Sequence, residues 1–379
     1  MHTNTDFSMI TAPKVLNNFR FMNSTLIPYR DGGKWGFADQ QGNIVIPCTF
    51  ADAHPFKEGL AAVMVDELIG FIDETGKLVV PADYEDVADF SEGLAAVLVD
   101  DKYGYINKEN NLVIPASYDF AGSFKDGYAE VEVEGDNDAE SYFGIIDKEG
   151  NDVIELSENF IIAVQDKMAF VGMDDRYELI HLESNTSLAL EYEDLDVGVQ
   201  TDLIAVAKGY DETGLPAYGY VNKQGEVKID FKFEEAYGFF DNRAIIAKDE
   251  MYGLIDEQGN IVVEPQFEDT HEFSEGLLAV KKGDKWGFLD KDGNVVINYE
   301  YDYAGAFKEG RAYVRKGGVY GFINIQGEVV VPLKYEADVA LLEEVDIEFA
   351  QSFENGIVMV NVAENVGYVN LEGKEFFND

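Results

Sequence analysis

The chain is poor in residues that staple, ligate or neutralise. It has one cysteine, Cys48, in 379 residues, so no intramolecular disulfide forms, and a small stapled secreted scaffold is excluded. Histidine occurs four times, at His2, His54, His181 and His271. No paired C-x-x-C, H-E-x-x-H, G-x-S-x-G or Walker sequence is present, so zinc, hydrolase and nucleotide motifs are missing. Basic residues are few: 28 Lys+Arg against 74 Asp+Glu give a net charge of −46. That balance argues against binding nucleic acid through its phosphates or docking on an anionic membrane, because either needs a basic patch. No stretch approaches the roughly 18 apolar residues of a membrane helix, and the first residues lack the unbroken apolar run of a signal peptide. The expectation is a cytoplasmic protein without a cofactor.

What is present is a repeat. With 46% hydrophobic and 13% aromatic residues the chain has material for a core, and a domain count from length fails if units recur. Lys34 to Asp39 reads KWGFAD, Leu68 to Asp73 LIGFID, Lys102 to Asn107 KYGYIN and Lys285 to Asp290 KWGFLD. The glycine of this phrase falls at Gly36, Gly70, Gly104, Gly144, Gly219, Gly253, Gly287, Gly321 and Gly367, most often 34 residues apart. The 75-residue gap after Gly144 holds one more unit, RYELIH, with Glu178 in the glycine slot. Three longer steps mark insertions around Gly135–Ser141, Tyr210–Ala217 and Glu336–Ala350. The organisation expected is an extension over 1–25 and about ten units, in a first half over 26–210 and a second over 211–379.

Each unit repeats one order of signals. EGLAAV at Glu58 leads through a polar turn into Ile69 to Asp73, then a D-x-x-G turn, then LVVP at Leu78. Short β-branched and aromatic runs between such turns predict a three-strand meander. Asp accepts local backbone bonds at the turn's start, and Gly supplies the positive φ that ends a type I turn in a G1 bulge. Proline at Pro47, Pro81, Pro115, Pro265 and Pro332 is expected to follow the third strand. An aromatic connector ending in F-x-E-G comes next, read as a helical turn or an irregular loop. Trp35 and Phe37 flank Gly36 on one strand face, so the glycine side of the strand is expected to be covered by a neighbour.

These phrases resemble the WG-containing repeat of bacterial proteins, with Trp35–Gly36 and Trp286–Gly287 as its fullest examples. The resemblance covers about Leu26 to Asn370 and implies repeat architecture with a binding or scaffolding role; it implies no reaction. Strands without polar alternation fit units stacked on both faces. An open solenoid or superhelical ribbon of all-β units suits the 34-residue period, because propeller blades run to ~40–50 residues. Two closed five-unit propeller-like rings are the alternative, since the insertion after Glu178 divides the array into five and five.

Chemistry is thin. His54 and His271 hold the same repeat slot, two residues before Phe56 and Phe273, and read as interchangeable connector residues. Cys48 reads as packing. The recurring aromatics Trp35, Tyr103, Tyr177, Tyr218, Tyr252, Trp286 and Tyr320 read as core, and slots that vary between units are the better partner surface. Asp136, Asp138 and Glu140 form the one weak calcium candidate, lacking an EF-hand's turn glycine and terminal glutamate. An enzyme would need a pocket where His54 or His271 meets two carboxylates. The function expected is a non-catalytic, acidic interaction scaffold whose protein partner has a basic or neutral surface. The alternative is an acidic inhibitor that mimics nucleic acid in an enzyme's groove.

Overall fold

Local turn chemistry builds each unit. In the second, the strands are Asp52–Ala53, Leu60–Val65, Leu68–Asp73 and Leu78–Tyr84. Glu58 and Gly59 form a two-residue turn with φ of 50° and 85°, closed by Lys57 N–H on Leu60 O at 2.8 Å and Leu60 N–H on Lys57 O at 3.0 Å. Two successive left-handed residues match the twist of the strands they join. Asp66 and Glu67 repeat the device, with φ of 49° and 72°. The third turn is the one expected: Gly76 N–H donates to Asp73 O at 2.9 Å, Gly76 has φ 82°, and Asp73 Oδ1 accepts the amides of Thr75 and Lys77.

The computed structural model describes residues 26–135, 140–165, 167–173, 176–197, 202–210, 216–336, 352–362 and 365–378. The extension and most of the three insertions lie outside them.

The motif glycine is required by its own sheet. In the second unit Ile69 pairs with Tyr84 and Phe71 with Val80, so two extra residues of the third strand bulge across Gly70. A Cβ on Gly70 would lie 2.6 Å from Val80 O and 2.7 Å from Ala82 N. The prolines therefore sit inside the third strand at this bulge, where the ladder is already interrupted, rather than after it. Glu178 supplies the counter-example: its hairpin pairs in unbroken register from Tyr177↔Leu190 to His181↔Thr186, with no bulge. The glycine and the bulge are lost together.

Two glycines of the eighth unit meet different neighbours. Gly287 faces the backbone of its own bulge, 2.7 Å from Ile297 O at the Cβ position, whereas the turn glycine Gly293 meets Val263 Cγ2 of the preceding sheet at 2.5 Å. The connector is neither helix nor irregular loop: it contributes a short lead strand such as Asp52–Ala53, Phe120–Ala121 or Glu235–Ala236. Eight of the ten described sheets have four strands, seven through such a lead strand and the first through the C-terminal Phe377–Asn378.

Neighbouring sheets bury their faces on each other. Phe71 and Val80 pack with Val97 and Ile106 of the third sheet, and Phe170 and Leu179 with Ile204 and Val206 across the fifth and sixth. The series returns to its start, because Ile357, Tyr368 and Phe376 pack with Trp35 and Phe37 of the first sheet. The C-terminal Phe377–Asn378 pairs beside Arg30 and Asp31, at the position that Asp52 takes beside Met64 in the second unit. Arg30, 4% exposed, donates from Nε to Val366 O at 2.7 Å, and Lys57 pairs with Glu354.

The fold is thus a closed β-propeller of small sheets, not an open solenoid or ribbon. The closed-ring alternative is closer, but the ring is single. Two-residue turns let strands of 2, 6, 6 and 7 residues fit a 34-residue period, which removes the length argument against blades. Leu203–Tyr210 and Pro216–Asn222 pair within the sixth sheet.

Candidate functional site

The turns carry acids at both ends of the sheets, with different jobs. At the E-G turns, Glu58, Glu92, Glu275 and Glu309 are held at φ of 50–52°, and each binds the next unit. Glu58 accepts the Gly93 amide at 3.0 Å, Glu92 that of Gly127 at 3.0 Å and Glu275 that of Gly310 at 2.8 Å. Glu309 accepts the amides of both Asn355, at 2.7 Å, and Gly356, at 2.6 Å. Burial pushes Glu58 up, but the Lys108 ammonium 3.1 Å away and the Gly93 amide outweigh it and hold the carboxyl below its usual value. These carboxylates bond one sheet to the next.

The opposite turns present their acids to solvent. Asp66, Glu67, Asp100, Asp101, Asp249 and Glu250 are exposed, with φ between 49° and 72°. Gly32–Gly33 and Gly317–Gly318 fill the same turn in other units, as the backbone prefers.

The predicted residues fall mostly into the core. Trp35, Trp286 and Tyr320 are buried. Tyr103, Tyr218 and Tyr252 are half-buried and donate their hydroxyls to Asp86, Asp194 and Glu235. The bond to Asp86, then burial, pushes Tyr103 up to about 12. Gly144, Gly219, Gly253 and Gly321 lie under bulges like that over Gly70, while Gly367 faces the Phe377 ring. Cys48 donates to Tyr29 O at 3.4 Å, and burial followed by the charge of Asp31 keeps its thiol protonated above the usual range. His54 lies 3.3 Å from Asp89, whose hydrogen bond raises the imidazole above its ordinary value. Asp136 and Asp138 lie outside the described residues, and among the described residues no group of three or more acidic, histidine or cysteine side chains is placed to hold a metal.

A concave site lies in the second half of the chain. A cavity of about 210 Å³ between the seventh and eighth sheets is floored by Phe239, Ile245 and Phe273 and edged by Tyr237, Phe240, Arg243, His271, Glu272 and Asp196. Tyr237 and His271 occupy a slot that holds His54, Ala88, Gly122 and Gly305 in other units, and Arg243 one that holds Leu60, Leu94, Leu277 and Arg311. His271 stacks on Trp286, centroids 4.6 Å apart at 13°. Arg243 is tied down, donating from Nε to Lys291 O at 2.9 Å and from Nη2 to Asp292 at 3.2 Å. Asp196 accepts the Gly238 amide at 3.1 Å. His271 therefore shares this cavity with two carboxylates, while His54 lies beside Asp89 in the second unit. Sequence reading passed over Tyr237, Arg243 and Asp196; the signal available was the bulk of Tyr237 in a slot that is alanine or glycine in three other units.

Comparison with known proteins agrees with this fold. The family described as WG containing repeat matches at residues 35–68, 69–103, 103–135, 218–252, 252–286, 286–320 and 320–337, more than half of the chain. A crystal structure of a eukaryotic initiation factor superposes with a TM-score of 0.56 at 11% identity, over 86% of this chain and 96% of that one. Hsv2 from Kluyveromyces lactis gives a TM-score of 0.36 at 11% identity, over 58% and 74% of the two chains. Dipeptidyl peptidase 4 from Porphyromonas gingivalis gives 0.43 at 8% identity, over 86% and 58%. No curated protein matches in sequence. The chain belongs to the WG-containing repeat family.

Proposed function

Starting from a WG-repeat chain closed into a propeller, we propose that it is a non-catalytic cytoplasmic scaffold presenting an acidic face to a protein partner with a basic surface. The observation that carries the reading is the set of exposed acids at Asp66, Glu67, Asp100, Asp101, Asp249 and Glu250, held in left-handed backbone. That conformation costs an L-residue roughly 1–2 kcal/mol, less for Asp. Two units use glycine pairs there, so the backbone does not ask for the acids. A rigid face of carboxylates steers cationic partners and makes their binding salt-sensitive. The test is affinity isolation from the native host, followed by titration of the recovered protein against wild type and a variant with Asp66→Asn, Glu67→Gln, Asp100→Asn and Asp101→Asn. Stoichiometric binding that weakens with added salt and in the variant supports the reading; no stoichiometric partner, or binding indifferent to both, overturns it. Competition by DNA or RNA for that partner would favour the nucleic-acid-mimicking inhibitor instead.

A catalytic reading has one observation in its favour, the meeting of His271, Asp196 and Glu272 in one cavity. The hydroxyls there are engaged: Thr270 donates to Ala279 O at 3.0 Å and Tyr237 to Glu235 at 2.9 Å. Turnover of any substrate that His271→Ala abolishes would establish it.

A further inference from the structure

We infer that the cavity between the seventh and eighth sheets is a receptor for one cationic side chain, an arginine or lysine of a protein partner. The inference deepens the scaffold reading and rests on it for the source of the cation, while the cavity's chemistry stands by itself. The floor is apolar, with Phe239, Ile245 and Phe273 buried, and suits the methylene stem of a long side chain. The rim is aromatic and acidic: Tyr237 is 39% exposed, Phe240 and His271 are half-buried, and Asp196 and Glu272 stand at the same opening. Aromatic faces attract a cation through their quadrupole, and carboxylates at a partly desolvated site strengthen that attraction.

The one guanidinium in the wall does not counter it, because Arg243 spends its donors on Lys291 O, Asn242 O and Asp292. An anion would meet those carboxylates within a protein of charge −46. Nor is the cavity a by-product of the repeat. Units with alanine or glycine in the Tyr237 and His271 slot lack these walls, and in the unit that carries His54 there the imidazole lies against Asp89 instead.

The structure supplies its own reporter. Trp286 stacks on His271, which lines the cavity, and the other tryptophan of the chain, Trp35, sits in the first sheet. In the full chain carrying Trp35→Phe, N-acetyl-arginine amide and N-acetyl-lysine amide are titrated while Trp286 emission is followed, with N-acetyl-norleucine amide as the uncharged stem. The expected result is a saturable change with at least one cationic probe and none with norleucine, weakened about tenfold by Tyr237→Ala and by Asp196→Asn. Circular dichroism melts of both variants establish that they fold; should Tyr237→Ala fail to, Tyr237→Leu keeps part of the apolar bulk and removes the π face. Equal response to norleucine overturns the proposal, as does no response to either cation or an unchanged titration in the folded variants. Probe binding without any basic partner for the propeller would retire the scaffold reading and leave the pocket; partner binding without probe binding would do the reverse.

Discussion

The account of the motif glycine is open to a direct comparison between two residues in one slot. A Cβ at Gly287 would stand 2.7 Å from Ile297 O, 2.9 Å from Tyr299 Cδ1 and 3.0 Å from Asn298 C, where ordinary contact begins at 3.4 Å. The bulge would have to retreat by about 0.7 Å, and it is backbone, which cannot rotate away as a side chain does. Overpacking of this kind costs roughly 1–3 kcal/mol, against which alanine recovers about 0.4–1 kcal/mol through the unfolded chain. Gly287→Ala is therefore expected to destabilise by about 1–2 kcal/mol, and Gly287→Val by more. Glu178 sits in the same slot over an unbulged strand, so Glu178→Ala is expected within about 0.5 kcal/mol of wild type. Urea denaturation followed by far-UV circular dichroism measures both. Equal losses for the pair, or a Gly287→Ala midpoint matching wild type, would refute the reasoning that bulge and glycine require each other.

Phe376 is fully buried at the junction of the last and first sheets, and Phe376→Ala is expected to lower stability by about 3–5 kcal/mol; a urea midpoint near wild type would mean the ring is not closed there. Replacing Glu309, which accepts two amides of the next unit, with Gln should cost about 1.5–3 kcal/mol, the range for bonds to a charged group, and a null result in the same assay would deny the E-G acids their bonding role. His54 is raised by Asp89, so its protonated pair stabilises below the unfolded value of about 6.5 and is lost as pH rises through the folded value. His54→Gln should then lower the melting temperature at about pH 5.5 and leave it unchanged at about pH 8.5; because the imidazole is 45% exposed, the effect is small, and an equal loss at both pH values would contradict it. Added sodium chloride should raise the melting temperature, because like charges in the excess of 74 acids over 28 bases are screened beyond ~8 Å; no rise up to physiological ionic strength would mean the acids are already neutralised.

Much of the unit was legible because its causes are local. Asp73 and Gly76 specify their turn through bonds within five residues, and the alternation that fails in LAAV reports burial on both faces. The core role of Trp35, Trp286 and Tyr320 followed from recurrence. Less legible was why Gly36 and its counterparts are glycine, since the bulge that covers them is built by residues ten and more positions later. Glu178, which looked like decay of the motif, marks a unit with different third-strand geometry. The cavity was invisible as a motif: Asp196, Tyr237, Arg243 and His271 come from three units, and the hint was a bulky residue, Tyr237, in a slot that is small in several others.

By itself, then, the sequence determined the repeat, the turns, the strands and the excess of negative charge, all of which are set by short-range sterics and composition. Whether those units run on or close was decided by the tertiary structure alone. The rotation from one sheet to the next is the resultant of whole packed faces, such as Phe71 and Val80 on Val97 and Ile106, and no single unit records it. Closure further required Phe377 and Asn378 to reach the strand at Arg30, a contact between the two ends of the chain that no repeat period contains. The same packing separates acids that are alike in sequence: Glu58 and Glu309 become inter-sheet bonds, and Asp66 and Glu67 stay exposed.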